Sequence, residues 1–205
     1  GITMSRIIAG AAGGLRLENV PGSNTRPTTD RVKEALFSRL ETYDILVGSR
    51  VLDLFGGSGA LGYESISRGA AHADFCETYA KAQNVLEKNA HALAAALPGR
   101  IAKIHKMSAR SFLTHYAGKS WELVFIDPPY AMDNEELEEL LTLLAPHLAE
   151  GAVVVIERSS RTAEPAWPYL LSKFAEKKYG ETILYFVEPE AQDSPVGLET
   201  GTSSQ

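Results

Sequence analysis

The chain has 205 residues, of which 44% are hydrophobic and 22% charged, and its formal net charge is −6. This composition is ordinary for a soluble globular protein, and the length suits one large domain or one domain with a small appendage. No apolar run approaches the roughly 20 residues that span a bilayer, and no secretory signal is visible, so a cytoplasmic location is expected. The single cysteine, Cys76, excludes an internal disulfide, and the five scattered histidines lack metal-ligand spacing, so no metal site is expected.

The charge is distributed unevenly along the chain. Residues 1–39 hold six basic residues against three acidic ones, whereas residues 133–150 hold six acidic residues and no Lys or Arg. The overall negative charge alone argues against a nucleic-acid partner. The asymmetry is nevertheless compatible with a basic binding end on an acidic body, and equally with an ordinary solvated surface.

Residues 1–48 are predicted to form a small N-terminal extension. Two short apolar runs around Gly13 can pair as a β-hairpin. Residues 25–41 then predict an amphipathic helix, with Thr28 or Thr29 as its N-cap.

Residues 49–188 alternate between short apolar runs and helical patterns. The predicted strands are 50–55, 73–77, 101–105, 122–127 and 151–157, and the predicted helices are 60–68, 80–96, 109–115 and 134–147. Such alternation predicts an α/β fold, a doubly wound parallel sheet with helices on both faces. Two final strands, 169–178 and 181–188, are predicted to form a hairpin whose last strand is antiparallel to its neighbours. Residues 189–205 carry Pro, Ser, Gly and acids without periodicity, so a disordered tail is expected.

A glycine-rich turn, GSGALG at 57–62, follows the first strand of this unit. Alone it is compatible with a simple tight turn, or with a dinucleotide whose ribose is bound by Glu77. Asp53 would repel a pyrophosphate but suits the amine and sulfonium of S-adenosylmethionine (SAM), and Ser108 and Ala109 could bracket its adenine. The sequence therefore favours SAM over NAD.

The fourth strand of the unit ends in Asp127-Pro128-Pro129-Tyr130. In a doubly wound sheet ligands bind beyond the carboxyl ends of the strands, and this strand is expected to neighbour the first. The Asp127 carboxylate and the Pro128 carbonyl can accept hydrogen bonds from a planar amine, and Tyr130 can stack on its ring. Pyramidalisation of that amine would free its lone pair for in-line methyl transfer from SAM.

Four blocks of this chain, RIIAG, TRPTTDRVKEALF, DLFGGSGALGYESISRGA and FIDPPY, resemble in order and spacing the 16S rRNA guanine-N2 methyltransferase family. The resemblance runs from about Ser5 to Glu188. It implies a Rossmann-like class I methyltransferase fold with a mostly parallel seven-stranded sheet, and methylation of guanine 966 of 16S rRNA, within an assembling small ribosomal subunit. It assigns the SAM site to Asp53, Phe55, Gly57, Gly59, Glu77, Ser108 and Ala109. It assigns the reacting-amine site to Asp127, Pro128, Pro129 and Tyr130.

The residues expected to contact RNA are Arg6, Arg16, Arg26, Thr28 and Arg31. The chain departs from the family at Gly13-Gly14-Leu15, where members often carry an Arg-Gly-Arg-like run, so part of the basic arm is missing. Three other functions stay open at this point. They are methylation of adenine N6 in DNA or of a protein glutamine, an NAD-dependent oxidoreductase, and a non-catalytic RNA-binding module.

Overall fold

The computed structural model describes residues 4–22 and 29–191, which contain nine strands and five α-helices. The strands are β1 (Met4–Arg6), β2 (Arg16–Glu18), β3 (Arg50–Asp53), β4 (His72–Cys76), β5 (Ile101–His105), β6 (Trp121–Ile126), β7 (Leu148–Ser159), β8 (Leu171–Tyr179) and β9 (Thr182–Pro189). The helices are α1 (Asp30–Thr42), α2 (Ala60–Ser67), α3 (Ala80–Ala96), α4 (Ala109–His115) and α5 (Asn134–Leu144). Within these residues no helix is long and apolar enough to cross a membrane.

Seven strands form one sheet in the order β5-β4-β3-β6-β7-β9-β8. The first five are parallel, β9 is antiparallel to β7, and β8 is antiparallel to β9. This confirms the predicted mostly parallel sheet with an antiparallel C-terminal hairpin. The strand order reverses between β3 and β6, so a ligand crevice is expected beyond their carboxyl ends.

Two apolar layers cover the sheet. On one face Phe37 of α1 and Tyr63 of α2 pack with Phe125 of β6 and other buried residues, together with residues of α3 and the β1–β2 hairpin. On the other face Phe112 of α4 and Leu141 of α5 pack with residues of the same strands. The N-terminal extension therefore supplies part of the cover of the sheet, because its apolar side chains share one core with the sheet strands.

Buried charges also join the extension to α2, in a group that we call the polar seam: Lys33, Glu64 and Arg68 with the hairpin backbone. Lys33 Nζ lies 3.3 Å from Glu64 Oε1, and both side chains are almost fully buried. The Glu64 carboxylate also accepts hydrogen bonds from the backbone N–H groups of Ile8 and Ala9 and from Arg68 Nε. Every Glu64 oxygen is thus paired, as a buried carboxylate requires.

A single amide side chain ties the hairpin to the glycine-rich turn. Asn89 of α3 accepts a hydrogen bond from the Glu18 N–H at 2.9 Å and donates to the Glu18 carbonyl at 3.0 Å. It also donates to the Ser58 carbonyl at 2.8 Å. The segment that follows Glu18 is thereby held beside the turn.

Some predicted boundaries need correction. The predicted helix 134–147 ends as an α-helix at Leu144 and finishes as a 3₁₀ turn over Ala145–His147, because Pro146 lacks the N–H that an α-helical bond needs. The first helix has Thr29 as its N-cap, with Thr29 Oγ1 accepting from the Val32 N–H. The predicted tail from residue 192 onward lies outside the described residues.

Candidate active site

The glycine-rich turn between β3 and α2 uses two of its glycines differently. Gly59 has φ +85°, and a Cβ there would lie 2.2 Å from the Tyr63 ring, so this glycine is required for packing at the start of α2. Gly57 has φ +55°, and a Cβ there would meet nothing within 4 Å. The Gly57 backbone therefore faces open space, where a ligand can approach it closely.

That open space is a crevice of about 560 Å³ beyond the carboxyl ends of β3, β4 and β6. Its volume lies within the range of roughly 300–1,000 Å³ found for small-molecule sites. Of the residues predicted for the site, the crevice is lined by Asp53, Phe55, Gly57, Glu77, Ser108, Ala109, Asp127 and Pro129. The structure thus brings together, in one cavity, residues that are far apart in the chain. Gly59, Pro128 and Tyr130 are not among its lining residues.

Glu77 follows β4, and backbone N–H groups take up some of the acceptor positions of its carboxylate. Its Oε1 accepts from the Gly57 N–H at 2.8 Å, and its Oε2 accepts from the N–H groups of Thr78 and Tyr79 at 3.0 and 2.9 Å. Two carboxylate oxygens offer about four acceptor positions, so one remains for a ligand hydroxyl. The same bonds fix the orientation of the carboxylate at the edge of the crevice.

The crevice is strongly acidic. Burial raises the pKa of Asp53 well above its ordinary value, and the nearby Asp127 and Glu77 carboxyls raise that pKa further. The described residues that line the crevice include no Lys, Arg or His. Burial also raises the pKa of the Cys76 thiol, which makes this cysteine a poor nucleophile. The crevice is therefore suited to a ligand that carries positive charge.

Asp127 has a partner that the sequence analysis did not identify. Solvent reaches its side chain through the crevice, yet the surrounding protein desolvates the carboxyl and raises its pKa. The neighbouring Glu157 carboxyl raises that pKa further. The signal for Glu157 was present, since this residue ends a strand predicted as 151–157 that lies beside the strand of Asp127.

Arg158, the next residue of β7, holds the segment that follows Asp127-Pro128-Pro129-Tyr130. Its guanidinium donates to the Met132 carbonyl at 3.0 Å and to Asn134 Oδ1 at 2.6 Å. Pro128 is buried, whereas the Tyr130 side chain is 91% exposed. Stacking of Tyr130 on a substrate base stays a prediction.

Three of the five residues predicted to contact RNA are described. Arg6 and Arg16 are directly opposite each other in the β1–β2 hairpin, and Arg6 Nε lies 3.2 Å from Asp30 Oδ2. Arg31 is exposed on the first turn of α1. Arg26 and Thr28 lie outside the described residues.

Comparison with known proteins identifies the family. The family described as "Conserved hypothetical protein 95" matches residues 5–188. The chain belongs to this family. It is 36% identical over 189 residues to the "Ribosomal RNA small subunit methyltransferase D" of Escherichia coli strain K12, covering 91% of each chain.

Solved structures similar to this chain agree with the fold. The Escherichia coli protein yhhF is 36% identical, with a TM-score of 0.79 over 93% of this chain and 100% of that chain. The Thermus thermophilus protein TTHA0928 is 30% identical, with a TM-score of 0.74 over 90% of this chain and 99% of that chain. The resemblance found in the sequence and the predicted class I methyltransferase fold are thereby confirmed.

The crevice fits SAM, the cofactor expected for a methyltransferase of this family. The open Gly57 backbone allows close approach of a ligand, Glu77 keeps an acceptor position, and Asp53 can face a positive amine or sulfonium. Three carboxyl groups with no cation among the described lining residues disfavour the pyrophosphate of a dinucleotide. The choice of SAM over NAD therefore follows from the charge of the crevice.

Proposed function

We propose that this protein transfers a methyl group from SAM to N2 of a guanine in 16S rRNA, within an assembling small ribosomal subunit. By family resemblance the target is guanine 966. Membership of the family and the named activity of its Escherichia coli relative support the choice of rRNA. The observation that carries the chemistry is the position of Asp127, which joins Asp53 and Glu77 in one acidic crevice.

The residues of the crevice divide into two sets. Glu77 would accept from the ribose, Ser108 and Ala109 would border the adenine, and Asp53 would face the amino-acid end of SAM. When bound, SAM supplies an electrophilic methyl group: the amine nitrogen takes it as the C–S bond breaks, sulfur keeps the bonding electrons, and one N–H proton leaves.

Asp127 would accept a hydrogen bond from the target amine and orient its lone pair, with the Pro128 carbonyl as a second acceptor. Holding the two reactants in line is the main contribution to the rate, and a misplacement of about 1 Å can lower the rate by about a hundredfold.

The base must leave its stack to enter the crevice, so an accessible loop is the natural substrate. Arg6, Arg16, Arg26, Thr28 and Arg31 would contact the RNA, largely through its phosphates.

The experiment offers radiolabelled SAM with naked 16S rRNA, small subunits lacking the modification, and DNA, and then analyses the product as nucleosides. We expect N2-methylguanosine, with assembling or complete subunits as the better substrate. Label in N6-methyladenine of DNA, or in a protein glutamine, would contradict the proposal.

The Asp127→Ala variant tests the site itself. Because the variant lacks the acceptor for the amine, methyl transfer should fall by at least about a hundredfold. Its affinity for SAM, measured by calorimetry, should stay close to that of the wild type. Glu150→Ala, a change of an exposed acid on β7, is the matched control and should leave both unchanged.

A further inference from the structure

Asp127 and Glu157 are neighbours across the sheet. Ile126, the last residue of β6, is paired with Ile156 of β7 in the parallel register, so Asp127 directly after β6 and Glu157 of β7 are the next residues along the two neighbouring chains. Both side chains line the same recess, and the neighbouring Glu157 raises the pKa of the Asp127 carboxyl. Two carboxyl groups at adjacent positions of neighbouring strands can form a hydrogen bond when one of them carries a proton, since ionised carboxylates only accept.

The two carboxyls reach different spaces. Asp127 lines the crevice and also a narrow recess of about 10 Å³ on its other side, and Glu157 lines the recess alone. Asp127 can thus present one oxygen to Glu157 and the other to the crevice. The shared proton then decides which Asp127 oxygen is available as an acceptor.

Apart from Asp127 and Glu157, the described residues that line the recess are apolar. The rest of the recess is formed by apolar residues of β6, β7 and the elements packed against them, Val32 and Leu36 of α1, Leu61 of α2 and Leu184 of β9 among them. Asp53 of β3 is close enough to Asp127 for the Asp127 carboxyl to raise the pKa of Asp53, and Glu77 acts on Asp53 in the same direction. Lys33 of α1 is paired with Glu64 in the polar seam.

We propose that Glu157 is a positioning residue for methyl transfer, which acts through a proton shared with Asp127 and so controls when Asp127 can accept from the target amine. This inference rests on the proposed function for its kinetic readout. In the protein without substrate, the proton lies between the two carboxyls. When the proton leaves, the Asp127 carboxylate becomes a full acceptor, so productive binding of the amine is favoured as pH rises. The raised pKa values of Asp127 and Glu157, caused first by desolvation, agree with a proton held between them.

The decisive variant is Glu157→Gln, which keeps the size of the side chain and can donate its amide N–H to Asp127. Without the second carboxyl, Asp127 ionises at lower pH. The acid limb of the kcat/KM profile should therefore move to lower pH, while the plateau at alkaline pH stays within about threefold of the wild type. Glu188→Gln, an exposed change on β9 in the same sheet, is the matched control and should leave the profile unchanged.

A second readout does not depend on activity. Carboxyl-carbon NMR of the protein without ligands should show two coupled titrations in the wild type, and a single Asp127 titration at lower pH in Glu157→Gln. The melting temperature and SAM affinity of the variant check that it folds. Unchanged pH profiles, or independent titrations of the two carboxyls in the wild type, would overturn the role of Glu157.

The two proposals fail in different ways. If the wild type methylates no guanine in rRNA, the proposed function fails, and the NMR titration still tests the carboxyl pair. If the wild type methylates guanine but Glu157→Gln keeps the wild-type pH profile, only the role of Glu157 fails.

Discussion

The polar seam and the crevice both gather charged groups inside the protein, but they do so with opposite results. In the polar seam the Glu64 carboxylate meets Lys33, Arg68 and two backbone N–H groups, so each charge has a partner. In the crevice the carboxyls of Asp53 and Asp127 lie near each other without a cation among the described lining residues. The seam is arranged to hold two parts of the chain together. The crevice carries an electrostatic penalty that a positive ligand relieves, which is typical of functional sites.

Removing the central acid of the seam should have the largest effect on stability. Glu64→Ala leaves the buried Lys33 with the Arg6 carbonyl but without its counter-charge, and leaves the N–H groups of Ile8 and Ala9 without their acceptor, which should lower the free energy of unfolding by about 3–5 kcal/mol. Urea unfolding measures this change. Glu34→Ala removes an exposed partner of Arg68 and should lower stability by at most about 1 kcal/mol. Equal losses of unfolding free energy in the two variants would show that burial of the seam does not strengthen its contribution to stability.

Neutralising one acid of the crevice should have a smaller effect of the opposite sign. The pKa of Asp127 is raised in the folded protein, so its contribution to stability is present at low pH and is lost as pH rises through the folded pKa. Asp127→Asn cannot ionise and can still donate to Glu157. The variant should therefore gain stability over the wild type as pH rises, by less than Glu64→Ala loses, because solvent reaches Asp127 and screens its charge.

Melting temperatures of both proteins from pH 5 to pH 8 test this sign. The advantage of Asp127→Asn should grow with pH and level off above the folded pKa. A variant that is less stable than the wild type at every pH would show that Asp127 serves the fold rather than the site.

The smallest effect is expected on the surface of the extension. Arg16 is exposed on β2, and its replacement by Ala should weaken RNA binding slightly and reduce the slope of log affinity against log salt by about 0.7, the value for one contact with a single-stranded phosphate. Arg161→Ala, an exposed change beside Glu181 at the β8–β9 end of the sheet, is the control. The same slope in Arg16→Ala and the wild type would remove this residue from the RNA contacts.

The comparison also shows what the sequence could and could not predict. The strands and the order of the helices followed from apolar runs and helical periodicity, which are local patterns. Asp53, Glu77 and Asp127 could be placed at one edge because parallel strands bring their carboxyl ends together. The pairing of Lys33 with Glu64, 31 positions apart in the chain, leaves no local signal. It arises only when α1 packs against α2.

Glu157 could be predicted from the sequence only in part. Its strand was predicted to end at this residue, so its location at the correct edge of the sheet was available from the sequence. Its effect on Asp127 was not, because a proton shared by two carboxyls depends on their register and on the apolar recess around them. Tyr130 shows the converse, since a stacking role could be predicted from its residue type but its 91% exposure could not.

The bonds of Asn89 to both the hairpin and the Ser58 carbonyl have a consequence for how this protein can be divided. Asn19 and Val20, just after the hairpin, form part of the wall of the crevice. A shortened chain beginning at residue 49 would lose this wall along with the partner of Glu64. The extension is therefore not a detachable module, and swapping it between relatives would transplant a piece of the crevice wall together with the arginines proposed to contact RNA.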